Sequence, residues 1–363
     1  MDFELLPPLP ISFPNVQYVT HNHEILICGG FQNNKCYSYH TLKNQLKHIC
    51  DYPAYISLRG HCVVKRVDNS NPNYITLLSF GGFYNHVLVM KYASVWSDDE
   101  KISETEKEDC NKWFPLKNNK DKSILKKRNE YEGVRAVLGG SNNHLLFITC
   151  QNNIYVLDLD TFQYIKRDFL PSAYGSDLSF HCFVARSDSD ANTGKKTNKM
   201  ILFSGETGLS IEYNEDSNTL HYHKLQICEI IPYFKTYCYL SDYDVILFFG
   251  EPSGYTDQKN EVYKYSIMED KWMKFEHMLP IKFVDYVAIF DEDNAYVHIL
   301  SIPSMQIHMK VNAKEWMKEE TESERKWIWE EKERKKIKAI NKEIEAMQEF
   351  DLKKLKVIFK LNN

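Results

Sequence analysis

Residues 244–275, DVILFFGEPSGYTDQKNEVYKYSIMEDKWMKF, decide how this chain folds. The apolar run 245–249 is too short for an ordinary helix and is rich in β-branched and aromatic residues, so it reads as a buried strand. Gly250 ends that run, and the turn-forming tract 252–260 follows. Residues 262–265 alternate as a second strand, 268–271 turn the chain, and Trp272 lies on a third. Such a unit is an antiparallel meander whose inner strand is apolar on both faces. Alone it cannot shield that strand, so it needs copies of itself stacked on either side.

The copies recur at intervals of about 50 residues. Apolar segments stand at 24–28 before Gly29-Gly30, at 75–80 before Gly81-Gly82, at 144–150, at 200–204 before Gly205, at 244–249 before Gly250, and at 295–300. Gln151 and Ser301 occupy the glycine place in the third and sixth copies. Each segment follows another strand-like run: 16–20, 60–66, 134–138, 179–186, 236–240 and 284–290. Each precedes an alternating strand whose last aromatic or apolar residue has a partner at one fixed distance. Tyr39 is matched by Leu46, Leu157 by Tyr164, Tyr213 by Leu220 and Tyr265 by Trp272. In the second copy an insertion displaces the partner of Tyr92, and Asn111-Lys112-Trp113 reads as the relocated fourth strand. Gly139-Gly140 precedes its apolar segment and therefore reads as a hairpin turn.

This pattern resembles the kelch repeat: an apolar strand ending in a double glycine, then a Tyr, then a Trp about seven residues on, each unit being one four-stranded propeller blade. Arg59-Gly60-His61-Cys62-Val63 is similar to the kelch lead-in to a blade's first strand, and Phe180-His181-Cys182-Phe183-Val184 echoes it. Phe3-Glu4-Leu5-Leu6-Pro7-Pro8-Leu9-Pro10 resembles the exit of an outermost strand, with Phe3 in the Trp place; Leu170-Pro171 and Leu279-Pro280 repeat that exit. The resemblance covers residues 1–317 and implies an all-β, six-bladed propeller. Its blades are expected near 15–53, 54–117, 131–171, 172–228, 230–280 and 281–317 plus 1–10. The N-terminal strand would pair beside 305–311 and close the ring, removing two exposed sheet edges. A competing reading gives the last blade its own fourth strand near Trp316.

Two polar insertions, 97–109 and 187–199, lack apolar residues to bury and are expected to be mobile. Beyond residue 317 the chain becomes a charged tail, 318–363. Residues 318–348 are dominated by Glu, Lys and Arg without Gly or Pro, which suits a long helix. Ile337, Ile340, Ile344 and Met347 follow the three-four spacing of a short coiled-coil seam, while 350–361 either docks on a blade or frays. The helix either packs on the propeller rim or mediates self-association or partner binding.

The chain has 363 residues with 43% hydrophobic and 13% aromatic content, ample for a large core. A formal charge of −5 offers no footprint for nucleic acid or an anionic membrane. No apolar run is long enough to span a bilayer, and MDFELLPPLPISF lacks the pattern of a signal peptide. Nine widely spread cysteines with no CxxC pair read as reduced thiols in a cytoplasmic protein.

Catalytic chemistry finds little support. His21/His23 and His221/His223 each present two imidazoles to one side of a strand, but spacing supplies no further metal ligands. His61 and His181 occupy a framework position of the repeat. No GxSxG, Walker or GxGxxG loop is present, and Gly205-Glu206-Thr207-Gly208 aligns with the repeat's glycine turn. The sequence therefore assigns no catalytic residue, no metal and no cofactor. The resemblance implies a non-catalytic protein-interaction scaffold or adaptor. The alternative is a metal- or small-ligand-dependent enzyme on a propeller, because some kelch-like propellers are copper oxidases; no residues here match that ligand set. Kelch propellers often accompany BTB or F-box domains, and neither fits around this ring. Candidate partner-binding residues lie in loops between blades and after the apolar strands: Tyr55, Arg59, Tyr84, Arg135, Tyr174, Tyr233 and Tyr255.

Overall fold

A computed structural model of the chain describes residues 1–9, 15–67, 74–96, 109–116, 131–171, 178–186, 197–228, 236–250, 260–280, 285–302 and 307–361. Within them, β1 (Phe3–Leu6) stands apart from its neighbours in sequence. Blade one is β2 (Gln17–His21), β3 (Glu24–Gly30), β4 (Asn33–His40) and β5 (Gln45–Asp51). Blade two is β6 (His61–Val67), β7 (Tyr74–Gly81), β8 (His86–Ala93) and β9 (Phe114–Pro115). Blade three is β10 (Arg135–Gly139), β11 (Leu145–Cys150), β12 (Asn153–Asp158) and β13 (Gln163–Phe169). Blade four is β14 (Cys182–Arg186), β15 (Thr197–Ser204), β16 (Thr207–Asn214) and β17 (Thr219–Lys224). Blade five is β18 (Thr236–Leu240), β19 (Val245–Phe249), β20 (Val262–Ser266) and β21 (Lys271–Lys274). Blade six joins β22 (Asp285–Asp291), β23 (Tyr296–Ile302) and β24 (His308–Asn312) to β1. The result is a six-bladed β-propeller followed by one helix, α1 (Glu322–Leu361).

The repeated apolar segments form the second strand of each blade, not the innermost. Every residue of β3, β11 and β19 is buried, because these strands have a sheet neighbour on each edge and another blade against each face. The strand nearest the axis is the one before: β2, β6, β10, β14, β18 and β22 line a shared axial cavity. These first strands tolerate polar residues because one side of each faces that cavity.

The fixed-distance pairs meet as cross-strand neighbours. Tyr39 faces Leu46, Leu157 faces Tyr164, Tyr213 faces Leu220 and Tyr265 faces Trp272. Their rings also pack between blades: Phe203 of blade four lies 4.8 Å from the Tyr265 ring and 5.2 Å from Trp272. Burying an aromatic ring so completely contributes on the order of 2 kcal/mol or more. Gly139-Gly140 does make the hairpin turn of blade three, with the Asn143 amide donating to the Gly140 carbonyl at 3.1 Å. The relocated strand of blade two lies directly after the Asn-Lys-Trp motif, at Phe114–Pro115, and not on it. Asn111 instead clasps Ala93, its Oδ1 accepting from the Ala93 amide and its Nδ2 donating to the Ala93 carbonyl. The second insertion is also shorter than its composition suggests, since residues 197–199 already belong to β15. Residues 97–108 and 187–196 of the two insertions lie outside the described residues.

Ring closure uses the N-terminus. Phe3 faces Val311 and Leu6 faces His308 in antiparallel register. Trp316 is not on a strand; it sits in a 3-10 turn, fully buried, with ring centroids 5.1 Å from Phe275, 5.8 Å from Phe249 and 6.3 Å from Phe3. That one indole covers the junction of blade five with the closing strand. The helix runs unbroken through the apolar segment 350–361, and its first turns dock on blade five. Thr321 and Glu324 form a reciprocal cap, and Glu324 Oε1 also accepts from the Glu276 amide at 3.1 Å.

Five histidines are buried: His61, His86, His181, His298 and His308. His61 stands between the Leu58 carbonyl (2.6 Å) and the Cys28 carbonyl of the preceding blade (3.1 Å); His181 meets Thr149 of the preceding blade at 2.7 Å. His298 and His308 bond to one another at 2.9 Å beside β1. Burial, above all, pushes His61 and His298 down to about 4 and His86, His181 and His308 down to about 3. Their folded-state values lie below the unfolded value near 6.5, so the stabilisation is complete above about pH 6.5 and is lost as pH falls towards 4 and 3. Each such histidine costs roughly 1.4 kcal/mol per pH unit in that window. Thermal melts are expected to hold steady from pH 8 to about 7 and fall steeply below about pH 6; a melting temperature flat down to pH 4.5 would contradict the neutral, buried state. Deletion of residues 1–6 is expected to cost at least about 3 kcal/mol, read by chemical denaturation, because it uncovers β24 and one side of Trp316. An unchanged midpoint would show that closure by β1 adds nothing.

Candidate partner-binding face

Antiparallel blades send alternate loops to opposite ends of the ring. Among the described residues, the links into β6 and β10 and the turn after β7 share one end, where Arg59, Tyr84 and Arg135 lie. Three backbone segments approach one another at this mouth of the cavity. The Gly133 amide donates to the Gly60 carbonyl, and the Phe180 amide donates to the Gly133 carbonyl, each at 2.8 Å. Gly60, Gly133 and Phe180 hold equivalent places just before β6, β10 and β14, and all have positive φ (70°, 73° and 54°). A Cβ on Gly60 would stand 2.6 Å from the Gly133 nitrogen, and one on Gly133 would stand 2.7 Å from the Phe180 nitrogen. Glycine is required at both positions. Phe180 accepts the same conformation without glycine's freedom, a strain of the kind that gathers at functional sites.

The arginines that lead into two of these strands point across the mouth. Arg59 Nε pairs with Glu132 Oε1 at 2.7 Å, and its guanidinium lies 5.9 Å from the Phe31 ring and 5.6 Å from the Phe83 ring. Phe31 and Phe83 each follow a double glycine directly, so the two turns present their rings to the same cation. Arg135 donates to its neighbour Val134's carbonyl at 3.1 Å and lies 5.7 Å from the Phe180 ring. Among the described residues no carboxylate is paired with it. Its charge reaches the walls: after burial, the Arg135 guanidinium is the next influence lowering His181, and it opposes the upward push of burial on Cys62 and Cys182. Tyr55 and Tyr84 are exposed to 73% and 56%, the Tyr84 ring packing edge-on at 4.9 Å from Phe83. Tyr174, Tyr233 and Tyr255 lie outside the described residues.

Behind this mouth is a cavity of about 950 Å³ with residues of all six blades on its wall, among them Gln17, Val63, Arg135, Phe183, Tyr237 and Ile289. Among the described residues, no group of three or more His, Cys, Asp or Glu could hold a metal ion. His61 and His181 are framework groups, each spent on a bond to the preceding blade. Sequence reasoning named Arg59, Arg135, Tyr55 and Tyr84 as contact candidates and did not name Glu132, Phe31, Phe83 or Phe180, which surround the two arginines. The signal for the first three was present: an aromatic directly after each double glycine, and a residue-glycine pair, Glu132-Gly133, matching Arg59-Gly60. Phe180 carried no such sign, because it stands where its counterparts are glycine.

Neither a family model nor a curated protein matches the chain. Solved structures do. YjhT superposes with a TM-score of 0.52 at 12% identity, covering 84% of this chain and 95% of that one. An auxiliary nutrient binding protein from Bacteroides thetaiotaomicron superposes with a TM-score of 0.50 at 9% identity, covering 82% and 69%. At such identities the likeness extends to the six-bladed propeller fold and stops there.

Proposed function

We propose that this chain is a non-catalytic binding module of the kelch type its repeats resemble, docking a protein partner on the mouth formed by blades one to three. The observation that carries this reading is the arrangement of Arg59 and Arg135 among Phe31, Phe83 and Phe180, with Tyr84 exposed against Phe83 and Tyr55 exposed in the link that leads to Arg59. Arginine and tyrosine on a rigid surface are the residue types that dominate binding hot spots. Rigid blades hold these side chains before a partner arrives, so little ordering entropy is lost on association. The Arg59–Glu132 pair is half exposed, so it is worth at most about 1 kcal/mol and can be exchanged for a partner's carboxylate. All nine cysteines are free thiols, which supports a reducing, cytoplasmic setting.

The test is quantitative affinity capture with the wild-type chain and the double variant Arg59→Ala/Arg135→Ala. A hot-spot arginine contributes about 2 kcal/mol, so each substitution is expected to weaken a specific partner roughly thirtyfold while the circular dichroism melt stays unchanged. Partners retained in full by a folded double variant would refute the assignment of this face. Stoichiometric bound metal in the purified chain, by elemental analysis, would overturn the reading in favour of a metal-dependent enzyme.

A further inference from the structure

The helix α1 has two opposite faces with different fates. Glu324, Trp327, Ile328, Glu331 and Lys335 recur at helical spacing and face blade five and the link that follows β17. Trp327 meets the Tyr263 ring edge-on at 5.8 Å, and Lys335 Nζ donates to Gln226 Oε1 at 3.3 Å. Past that point every residue from 336 to 348 is exposed. Trp329, Ile337, Ile340, Ile344 and Met347 fall on the side away from the blade, with exposures of 63%, 57%, 55%, 46% and 68%. A stripe of this size, held clear of the propeller on a helix about 60 Å long, leaves apolar surface in water.

The charges beside the stripe specify what covers it. Residues 322–333 hold five acidic and three basic side chains, and residues 334–342 hold five basic and no acidic ones. Residues 343–351 hold four acidic and no basic ones, and residues 352–361 hold four lysines and no acid. The order acidic, basic, acidic, basic is complementary to its own reverse. An antiparallel pair centred on Lys342 sets Ile337 of one copy against Met347 of the other, and Ile340 against Ile344. The same register lays residues 334–341 along 343–350 of the second copy, and 323–332 along 352–361. A parallel pair would align each block with its own like. We propose that two copies of this chain associate through α1 as an antiparallel helix pair, with a propeller at each end. Apolar contact along the stripe supplies the attraction, and the charge blocks fix direction and register.

The test uses the full chain in light scattering after size exclusion. The wild type is expected to run as a dimer, and Ile340→Glu/Ile344→Glu as a monomer with an unchanged propeller melt. Lys336→Glu/Lys338→Glu/Lys342→Glu sets acid against acid and is expected to be monomeric. So is Glu343→Lys/Glu345→Lys/Glu349→Lys, and mixing the two charge variants restores the dimer. A chain carrying all six charge substitutions is expected to pair with itself and not with the wild type; pairing with the wild type would mean a parallel arrangement and overturn the proposal. A monomeric wild type, or a dimer indifferent to the Ile340 and Ile344 substitutions, would overturn it as well.

Discussion

The constraint on which this architecture depends is that the second strand of every blade is apolar on both faces. A single twisted sheet can dry one face of such a strand by packing on one neighbour. To dry both, each sheet must sit between two others, and a finite set of sheets achieves that only by returning to its start. Val245–Phe249 shows the result: five consecutive buried residues, with Ile246 and Phe248 packed towards blade four and Val245, Leu247 and Phe249 towards blade six. The ring is therefore dictated by the period of the hydrophobic pattern more than by any single contact.

That is why so much of the fold could be read from residues alone. Cross-strand pairs such as Tyr265–Trp272 are fixed by hairpin length, a local quantity that spacing in sequence records directly. Closure by β1 was legible because Leu6-Pro7-Pro8-Leu9-Pro10 has no other partner in the sequence, and the strand that closes the ring is Phe3–Leu6. The position of each strand in its blade was less legible. Apolar content marks the strand with most neighbours, which is the second; the innermost strand borders a cavity and carries Arg135 and Gln17, so hydrophobicity ranks it lower. The end of the second insertion was misplaced because Thr197–Lys199 is polar although it pairs with Arg186 and Asn214.

The candidate face was legible only in part because its assembly depends on contacts between blades. Arg59 and Glu132 are 73 positions apart in numbering yet 2.7 Å apart in space, and no local pattern couples them. Gln151 makes a similar point in the opposite direction. It takes a positive φ of 50° in the place four other blades give to glycine, held by reciprocal backbone bonds with Leu178. The fold imposes conformation there, and residue type follows only where a side chain cannot be accommodated, as at Gly60 and Gly133.

Closure by the first strand has a consequence for biosynthesis. Residues Phe3–Leu6 leave the ribosome before the strands of blades one to five, yet their sheet partner, His308–Asn312, and the covering indole of Trp316 follow only after those blades. Until then the nascent chain carries an unmatched strand and an incomplete circle. Such long-range pairing slows folding and prolongs exposure of open edges. A chain that stops before His308–Asn312 therefore lacks the strand on which β1 closes the ring.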